Sequence, residues 1–459
     1  MTSSRTGEGA TVMVVACVAT LCALSFPTAA LVGLALVAVV GTAVLSLRDI
    51  RVAWCVLFLA VCANGASVDV AGATFRPEYF VVPLFVAALV AHHRREGTSF
   101  RSMSGRERTV AGAMIVWVLI AVMTSSVVAP SPFLSLRSCV QFLVGLVVFF
   151  PLLLSSFDRV YALRSGTVIL SSISVGSIGY WLLDPSRRVS GLAFEYNIMG
   201  SLCAAWLGVM YYYVGQHLSN GTPIMDRRLG CAAVPIVIAL LLTETRAAWG
   251  ALLVILLFAA CRVVGRYPIS VIAATMGLCL GAAALAGVRD GSGEDTLLWR
   301  ISHLTDFDSG TGAYRMLLWQ DAITQIGARD WSFLWGTGAN SFSQFNPVDP
   351  TFVGAAYLSS IWLGLLYDVG ALGSIAFLVA VAGIVSRIPR PVHAIPLIVS
   401  LAACASLTNI LWFAFPWVFL ALVAGPVAQQ RPVGQQGAQR RKPRGRRIHR
   451  RRLRAQVQL

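Results

Sequence analysis

The chain has 459 residues, of which 57% are apolar and only 12% are charged, and its mean hydropathy is +0.74. Soluble globular proteins carry about 25% charged residues, so this composition excludes a soluble enzyme. It is typical of a bundle of membrane-spanning helices, each of which needs ~20 apolar residues. The apolar runs are continuous and do not alternate with polar residues, which excludes a transmembrane β-barrel.

Taken in chain order, the apolar runs predict an all-α, polytopic helix bundle with roughly 12 to 14 membrane spans. The runs are 11–26, 28–47, 51–65, 79–91, 109–128, 137–155, 165–183, 191–214, 230–243, 247–264, 268–288, 354–386, 394–409 and 411–425. Four parts follow. Residues 1–288 hold the first eleven spans, 289–353 form one large, partly helical loop, 354–425 hold the C-terminal spans, and 426–459 form a basic tail.

Basic residues in the short loops predict the orientation of the bundle, because such loops stay in the cytoplasm. The segment 92–108 is strongly basic, and smaller arginine clusters lie in four other turns, all on one side if there are 14 spans. Both termini are then cytoplasmic, and the 289–353 loop, with eight acidic residues and four arginines, is extracytoplasmic. We therefore expect a multi-pass protein of a bacterial cytoplasmic (inner) membrane.

The C-terminal tail accounts for much of the formal net charge of +16. Ten of the 36 lysines and arginines lie between Arg440 and Arg454. A tail of this composition cannot bury a core, so we expect it to be disordered. Its expected partners are anionic lipids, at ~1 kcal/mol for each basic residue near the surface. Nucleic-acid binding is conceivable for such a run but is not expected next to a membrane span.

Several arginines do not follow this charge rule, because they stand at the outer starts of predicted spans. They are Arg76, Arg137, Arg187, Arg188 and Arg246. A helix N-terminus carries partial positive charge and free N–H groups, and a guanidinium binds two phosphate oxygens at once. Together they could form a diphosphate site near the outer leaflet. The alternative for each is that it only extends to the membrane interface.

Three segments carry a recognisable pattern in a fixed order. They are residues 188–197 (RVSGLAFEYN), residues 242–250 (LTETRAAWG), and the loop segments 314–319 (YRMLLW) and 335–342 (WGTGANSF), which lead to 359–373. In this order and topology they resemble the O-antigen ligase and O-antigen polymerase superfamily of bacterial envelope enzymes. That family joins glycans carried on a polyprenyl diphosphate, at the outer face of the cytoplasmic membrane.

The resemblance implies roles for particular residues. Arg188 and Arg246 match the arginines that bind the lipid diphosphate. Arg315 matches the arginine that opens the amphipathic helix of the loop, and we expect Arg315 and Arg137 to bind the diphosphate as well. The other members of the loop motif are Trp319, Gly336 and Gly338. The donor is then a polyprenyl-diphosphate-linked glycan and the acceptor a glycan or a lipid. Neither a cofactor nor a metal is expected, since the sequence has no metal-ligand cluster.

The acceptor hydroxyl needs positioning and a base. The outward-facing candidates are Glu195, Glu244, Asp368 and His303. Glu195 and Glu244 could instead neutralise neighbouring arginines, and an unpaired Asp368 inside a span would need a partner. Ligases of the family usually have His-Asn about eleven residues before the glycine that corresponds to Gly370, and Ser359-Ser360 stands there in this chain. This difference favours a polymerase or a divergent ligase.

Two other classes of function remain open from the sequence. The first is a transporter or flippase for lipid-linked glycans, which 14 spans would suit. Transporters usually place polar residues at mid-membrane and have paired halves, whereas here the polar residues gather at the outer rim. The second is a non-catalytic scaffold. Loss of glycan linkage without loss of translocation, when Arg188 and Arg246 are replaced, would favour the enzyme.

Overall fold

The computed structural model of the chain describes residues 41–70, 73–98, 100–184, 188–219, 227–263, 310–328, 332–347 and 357–425. These residues are mostly helical, and the helices are apolar, so the predicted all-α polytopic membrane fold is confirmed. The spans predicted at 11–26 and 268–288, most of the span predicted at 28–47, and the C-terminal tail lie outside the described residues. The total of 12 to 14 spans and the four-part division of the chain therefore stay predictions.

The first half of the bundle alternates long apolar helices with short turns. Its helices are α1 Ile50–Cys62, α2 Pro77–Arg95, α3 Gly105–Val127, α4 Pro132–Leu154, α5 Arg159–Leu183, α6 Tyr196–Ser219, α7 Arg227–Leu242 and α8 Arg246–Val263. Polar residues mark the starts of several helices. Asp158 accepts hydrogen bonds from the first N–H groups of α5, and Ser104 and Glu107 form a reciprocal capping box at α3.

The second half holds the helices of the large loop and the C-terminal helices. They are α9 Gly310–Gly327, α10 Ser332–Trp335, α11 Phe342–Phe345, α12 Ile361–Val385, α13 Ile395–Leu407 and α14 Phe415–Ala424, with short 3-10 turns at Pro391–His393 and Ile410–Trp412. All ten residues of α14 are buried. A helix of this length rises about 15 Å, so α14 is a core element too short to cross a membrane alone.

Five of the described helices are long and apolar enough to cross a membrane: Gly105–Val127, Pro132–Leu154, Arg159–Leu183, Tyr196–His217 and Ile361–Val385. Five shorter apolar helices accompany them. A small antiparallel hairpin, Val68–Val70 with Ala73–Phe75, joins α1 to α2. This hairpin is the one β element in the described ranges, and the sequence pattern did not predict it.

The antiparallel pair α3 and α12 shows that the two ends of the bundle differ. At one end, Glu107 is fully buried and pairs with the guanidinium groups of Arg101 and Arg387. At the other end, the Thr124 hydroxyl donates to the carbonyl of Asp368 at 3.4 Å. The first end carries the basic turns, and the second carries the large loop. The structure thus separates the predicted basic side from the predicted loop side.

The basic end contains a buried arginine that holds α14 in place. Arg159, the first residue of α5, donates to the carbonyls of Leu152 (3.2 Å) and Ala421 (2.8 Å) and also to that of Leu422. A guanidinium at a helix C-terminus satisfies carbonyls that have no partner within the helix. The contact with α14 could not be predicted from the sequence, because Ala421 and Leu422 lie more than 260 positions away.

We expect Arg159→Ala to lower the free energy of unfolding by about 2–4 kcal/mol, because three buried carbonyls lose a charged donor and a cavity remains. The measurement is the thermal unfolding midpoint of the purified protein in detergent. Arg164→Ala, on the same helix but exposed, is the matched control and should stay within about 0.5 kcal/mol of the parent. Equal midpoints for the two variants would contradict the assigned role.

Four predicted boundaries are corrected by the structure. Helix α4 begins at Pro132, so Arg137 lies in its second turn and does not open it. Helix α6 begins at Tyr196, which leaves Arg188 in the preceding loop, and α9 begins five residues before Arg315. The span predicted from 354 begins only at Ile361. The start of α4 follows the proline at its first position, which hydropathy alone does not locate.

Candidate functional site

The centre of the site is an ion pair between the two segments that precede α6 and α8. The Arg188 Nε donates to Glu244 Oε2 at 3.1 Å, and the Arg188 guanidinium lies over the Tyr196 ring at 4.5 Å. The Glu244 side chain is only 6% exposed, whereas that of Arg188 is 28% exposed. The pair thus has a buried acidic member and an accessible basic member. Glu244 adopts a left-handed backbone conformation (φ 56°), which forms the tight turn before α8.

Further bonds hold these two segments together. The Val189 N–H donates to the Leu242 carbonyl at 3.2 Å, and the Thr245 hydroxyl donates to the Tyr196 carbonyl at 3.4 Å. Gly200 permits the close approach of α6, since a Cβ there would lie 2.8 Å from the Thr243 hydroxyl oxygen. The predicted motifs at 188–197 and 242–250 are therefore parts of a single site.

Arg246 is the first residue of α8, directly after the turn that contains Glu244. The first N–H groups of a helix have no partner within the helix and carry partial positive charge. Arg246 is partly exposed at this end of the bundle. It follows Glu244 by two residues, so its backbone lies beside the Arg188–Glu244 pair. A second guanidinium and a helix N-terminus thus contribute positive potential here.

Glu195 joins this site to the large loop. Burial raises the pKa of the Glu195 carboxyl, while a 3.4 Å hydrogen bond from the Asn197 amide and the positive charge of Arg315 oppose this rise. Arg315 belongs to α9, and its charge acts on the Glu195 carboxyl. The loop helix therefore lies near the start of α6. Arg188, Glu244, Arg246, Glu195 and Arg315 consequently gather at one end of the bundle.

Arg76 extends the site on the side of α2. It caps α2, is only 9% exposed, and its guanidinium lies over the rings of Phe413 (4.3 Å) and Phe194 (5.7 Å). Its Nη1 donates to the Trp412 carbonyl at 3.1 Å. Since Phe194 precedes Glu195, Arg76 supports the loop that carries the carboxylate. The sequence marked Arg76 only as an outward arginine, and its aromatic partners could not be predicted because they are distant in the chain.

Arg137 lies in the second turn of α4, beside a groove. It lines a groove of about 430 Å³ between the hairpin, α2 and α4. The other residues that line this groove are Phe75, Tyr79, Phe133, Leu136, Val140 and Gln141. Its expected role at the diphosphate stays a prediction.

The glycines of the loop motif dock onto a break in α12. Gly370 has φ 65° and ψ −171°, which interrupts the helix and frees the carbonyls before it. The Thr337 N–H donates to the Tyr367 carbonyl and the Gly338 N–H donates to the Asp368 carbonyl, both at 2.9 Å. A Cβ at Gly336 would overlap the Asp368 carbonyl, so only glycine allows this approach. The turn thus satisfies the backbone groups that the break exposes.

The Asp368 side chain also holds the glycine turn of the loop against the break in α12. Its Oδ2 accepts the Asn340 N–H at 3.0 Å, and the backbone of Ser341 also bonds to the carboxyl group. The residue is 7% exposed. In this structure the carboxylate therefore holds the loop, which is the partner that a buried acid within a span needs. Its role as a catalytic base stays a hypothesis.

The remaining predicted residues lie in or near a small apolar cluster under α9. Trp319 packs against this cluster, which Leu318, Ala322, Ile326, Phe342, Leu358 and Tyr367 form. Ser359 and Ser360 are both buried just before α12. Trp319 thus contributes to loop packing. His303 lies outside the described residues.

Metal binding has no candidate among the residues that the structure describes, since no group of three or more His, Cys, Asp or Glu side chains could hold an ion there. The described side chains of the site are guanidinium groups and carboxylates, and the N-terminus of α8 lies beside them. Guanidinium groups stabilise negative charge on phosphate oxygens, and a carboxylate accepts protons. This set suits a reaction in which a phosphate leaving group gains charge.

Comparison with known proteins supports this view. Residues 231–378 match the family model described as O-antigen ligase. The match begins in α7 and ends in α12, so it includes the Glu244 turn, Arg246, α9 and the glycine turn on the broken helix. No curated protein matches the chain. The resemblance drawn from the sequence motifs is therefore confirmed for this segment.

Proposed function

We propose, from the O-antigen ligase domain that residues 231–378 form, that this protein transfers glycans from a polyprenyl-diphosphate carrier during assembly of an envelope polysaccharide. The domain is that of membrane enzymes of polysaccharide assembly, and the apolar helices agree with a membrane protein. We propose three things beyond the family match. The donor is a polyprenyl-diphosphate-linked glycan, the reaction is glycan transfer, and the site lies at the outer face of a bacterial cytoplasmic membrane. The partners are a lipid-linked glycan donor and a glycan or lipid acceptor.

The observation that carries the proposal is the gathering of Arg188, Arg246 and Arg315 around two carboxylates at one end of the bundle. When the sugar leaves its carrier, the bond between the anomeric carbon and the diphosphate oxygen breaks, and the electron pair stays on the diphosphate. Positive groups that stand ready before the reaction stabilise this charge without a cost for rearrangement.

The other half of the reaction forms a bond between the acceptor oxygen and the anomeric carbon. The acceptor hydroxyl loses its proton to a base. Glu195 fits this role better than Glu244, because Glu244 accepts a hydrogen bond from Arg188, whereas burial raises the pKa of Glu195 and improves its ability to take a proton. Asp368 is the third candidate, and its bonds to the loop backbone favour a positioning role.

The function is tested with the purified protein in vesicles that contain a polyprenyl-diphosphate-linked oligosaccharide. We expect longer or newly linked glycan together with release of polyprenyl diphosphate. Transfer to a second lipid-linked oligosaccharide identifies a polymerase, and transfer to a different lipid identifies a ligase. A flippase would instead move the intact donor across the membrane with no new linkage, and a scaffold would do neither.

The pH dependence of transfer should reveal the base. If Glu195 accepts the proton, kcat/KM rises with pH as the carboxyl loses its proton, and the midpoint lies above the ordinary glutamate pKa because burial raises it. Glu195→Gln should remove this acidic limb and lower the rate by about 10²-fold or more. An unchanged pH profile in Glu195→Gln would assign the base to another residue.

The orientation of the protein is a further part of the proposal. We expect a cysteine at Ser309, in a background without native cysteines, to react with a membrane-impermeant reagent in intact cells, because the loop should be extracytoplasmic. A cysteine in the basic segment, at Ser104, is the matched control and should react only after the membrane is opened. Protection of Ser309→Cys would place the site on the wrong side for this function.

A further inference from the structure

The turn that leads into Glu195 is held by residues from a distant part of the chain. The Phe194 N–H donates to Asn64 Oδ1 at 2.8 Å, and the Gly65 N–H donates to the Leu192 carbonyl at 3.0 Å. Asn64 and Gly65 stand between the end of α1 and the hairpin, and Asn64 precedes Phe194 by 130 positions. Two bonds therefore fix the backbone directly before Glu195.

The Asn64 side chain uses both halves of its amide for this purpose. It is fully buried, its Oδ1 accepts the Phe194 N–H, and its Nδ2 donates to the Val61 carbonyl at 2.9 Å. That carbonyl belongs to the last turn of α1, where helix carbonyls lack partners within the helix. Rotation of the amide would leave buried polar groups unpaired, which is costly. Asn64 thus ties the end of α1 rigidly to the turn before α6.

Gly65 allows the turn to come this close. A Cβ at Gly65 would lie 2.5 Å from the Ala193 carbonyl oxygen, which is too near for the two atoms to coexist without a shift of the backbone. On the other side, the Glu195 carbonyl accepts the N–H groups of Ile198 and Met199, both at 3.1 Å. The backbone of Glu195 is therefore held from the end of α1 and by the first turn of α6.

We infer that Asn64 and Gly65 are positioning residues for glycan transfer, which keep the Glu195 carboxyl where the acceptor hydroxyl can reach it. This inference rests on the proposed function, in which Glu195 takes the proton. A base acts only within hydrogen-bond reach of the proton that it removes, and a displacement of about 1 Å can cost about 10²-fold in rate. Both residues lie outside the matched segment 231–378.

Three substitutions separate positioning from general stability. Asn64→Ala removes both side-chain bonds, and Gly65→Ala displaces the same turn by a different route, because its Cβ would overlap the Ala193 carbonyl. Thr167→Val is the matched control. Thr167 is equally buried, lies on α5, and its hydroxyl accepts the Trp206 Nε1–H at 3.1 Å. This control also loses a buried hydrogen bond, but not one to the turn.

The environment of Glu195 is measured without turnover, by carbodiimide labelling of its carboxyl over a range of pH followed by peptide mass spectrometry. Burial raises the pKa of this carboxyl, and the Asn197 amide and the Arg315 charge oppose the rise. In Asn64→Ala and in Gly65→Ala the labelling midpoint should fall towards that of an ordinary glutamate, because a released turn exposes the carboxyl to water. Thr167→Val should keep the midpoint of the parent. A parent-like midpoint in either folded turn variant would overturn the inference.

A second arm uses the vesicle assay. Asn64→Ala and Gly65→Ala should each lower kcat by about 10²-fold and change the KM of donor and acceptor by less than about twofold, since a displaced base weakens the transition state and not substrate binding. Thr167→Val should keep kcat within about twofold of the parent. A rise in KM at unchanged kcat, or an equal loss of kcat in Thr167→Val, would overturn the inference. If the parent transfers no glycan, the proposed function fails, and the labelling result still decides whether Asn64 and Gly65 hold Glu195 in place.

Discussion

Replacing either Arg188 or Arg246 with alanine should reduce kcat/KM for glycan transfer by about 10²- to 10³-fold, the usual effect of removing one group that stabilises transition-state charge. Both residues stand at the end of the bundle where the loop helix and the starts of α6 and α8 meet. Lysine should restore only part of the activity, because it keeps the charge but lacks the two-pronged donor geometry. The measurement is the initial rate of transfer in vesicles.

The Arg188 variant needs a control for its ion pair, because its loss leaves the buried Glu244 carboxylate without this partner. Glu244→Gln removes the charge and keeps the shape. If Arg188 only neutralises Glu244, the double variant Arg188→Ala/Glu244→Gln should recover activity. If Arg188 binds phosphate, the double variant should stay inactive. Arg164→Ala serves as the control for Arg246, since it removes an exposed arginine elsewhere in the bundle.

The second large effect should come from the joint between the loop and α12. Gly336→Ala and Gly370→Ala should each destabilise the docked loop by about 3 kcal/mol or more, since alanine is strained at φ 79° and 65° and each Cβ would overlap backbone of the opposite segment. Transfer activity should fall with the docking, because α9 carries Arg315. Limited proteolysis of the loop and the transfer rate are the two measurements.

Gly176→Ala is the matched control for the loop glycines. Gly176 lies inside α5, and a Cβ there would meet nothing within 4 Å. Alanine should therefore leave activity unchanged and add up to about 1 kcal/mol of helix stability. If Gly336→Ala and Gly370→Ala behave like Gly176→Ala, the loop does not depend on this joint.

The sequence was sufficient for the fold class and for the segments that form the site. Apolar runs predict spanning helices because a helix needs about 20 apolar residues to cross the hydrocarbon core of the membrane. Arg188 and Arg246 were predicted to share a site because both precede helices that run in the same direction. The structure adds the contacts that hold their two segments together, which are the Val189–Leu242 bond and the close approach at Gly200.

Other features could not be predicted, because they depend on pairs distant in the chain. Asp368 holds the loop through both its carbonyl and its carboxylate. Both bonds depend on the break in α12, and Gly370 is the one residue in the sequence that indicates this break. Arg137 was grouped with the other arginines because it seemed to open a span. The helix instead begins at Pro132, so Arg137 lies in its second turn and lines a groove with the hairpin and α2. Helix boundaries thus decide where along a helix each charge stands.

The measurement that tests the central claim most directly is the affinity of the purified protein for polyprenyl diphosphate, compared between the parent and Arg246→Ala. We expect at least about tenfold weaker binding in Arg246→Ala, which corresponds to about 1.4 kcal/mol, and unchanged binding in Arg164→Ala. Equal affinity in the parent and in Arg246→Ala would contradict a diphosphate site at the start of α8, and with it the proposed transfer reaction.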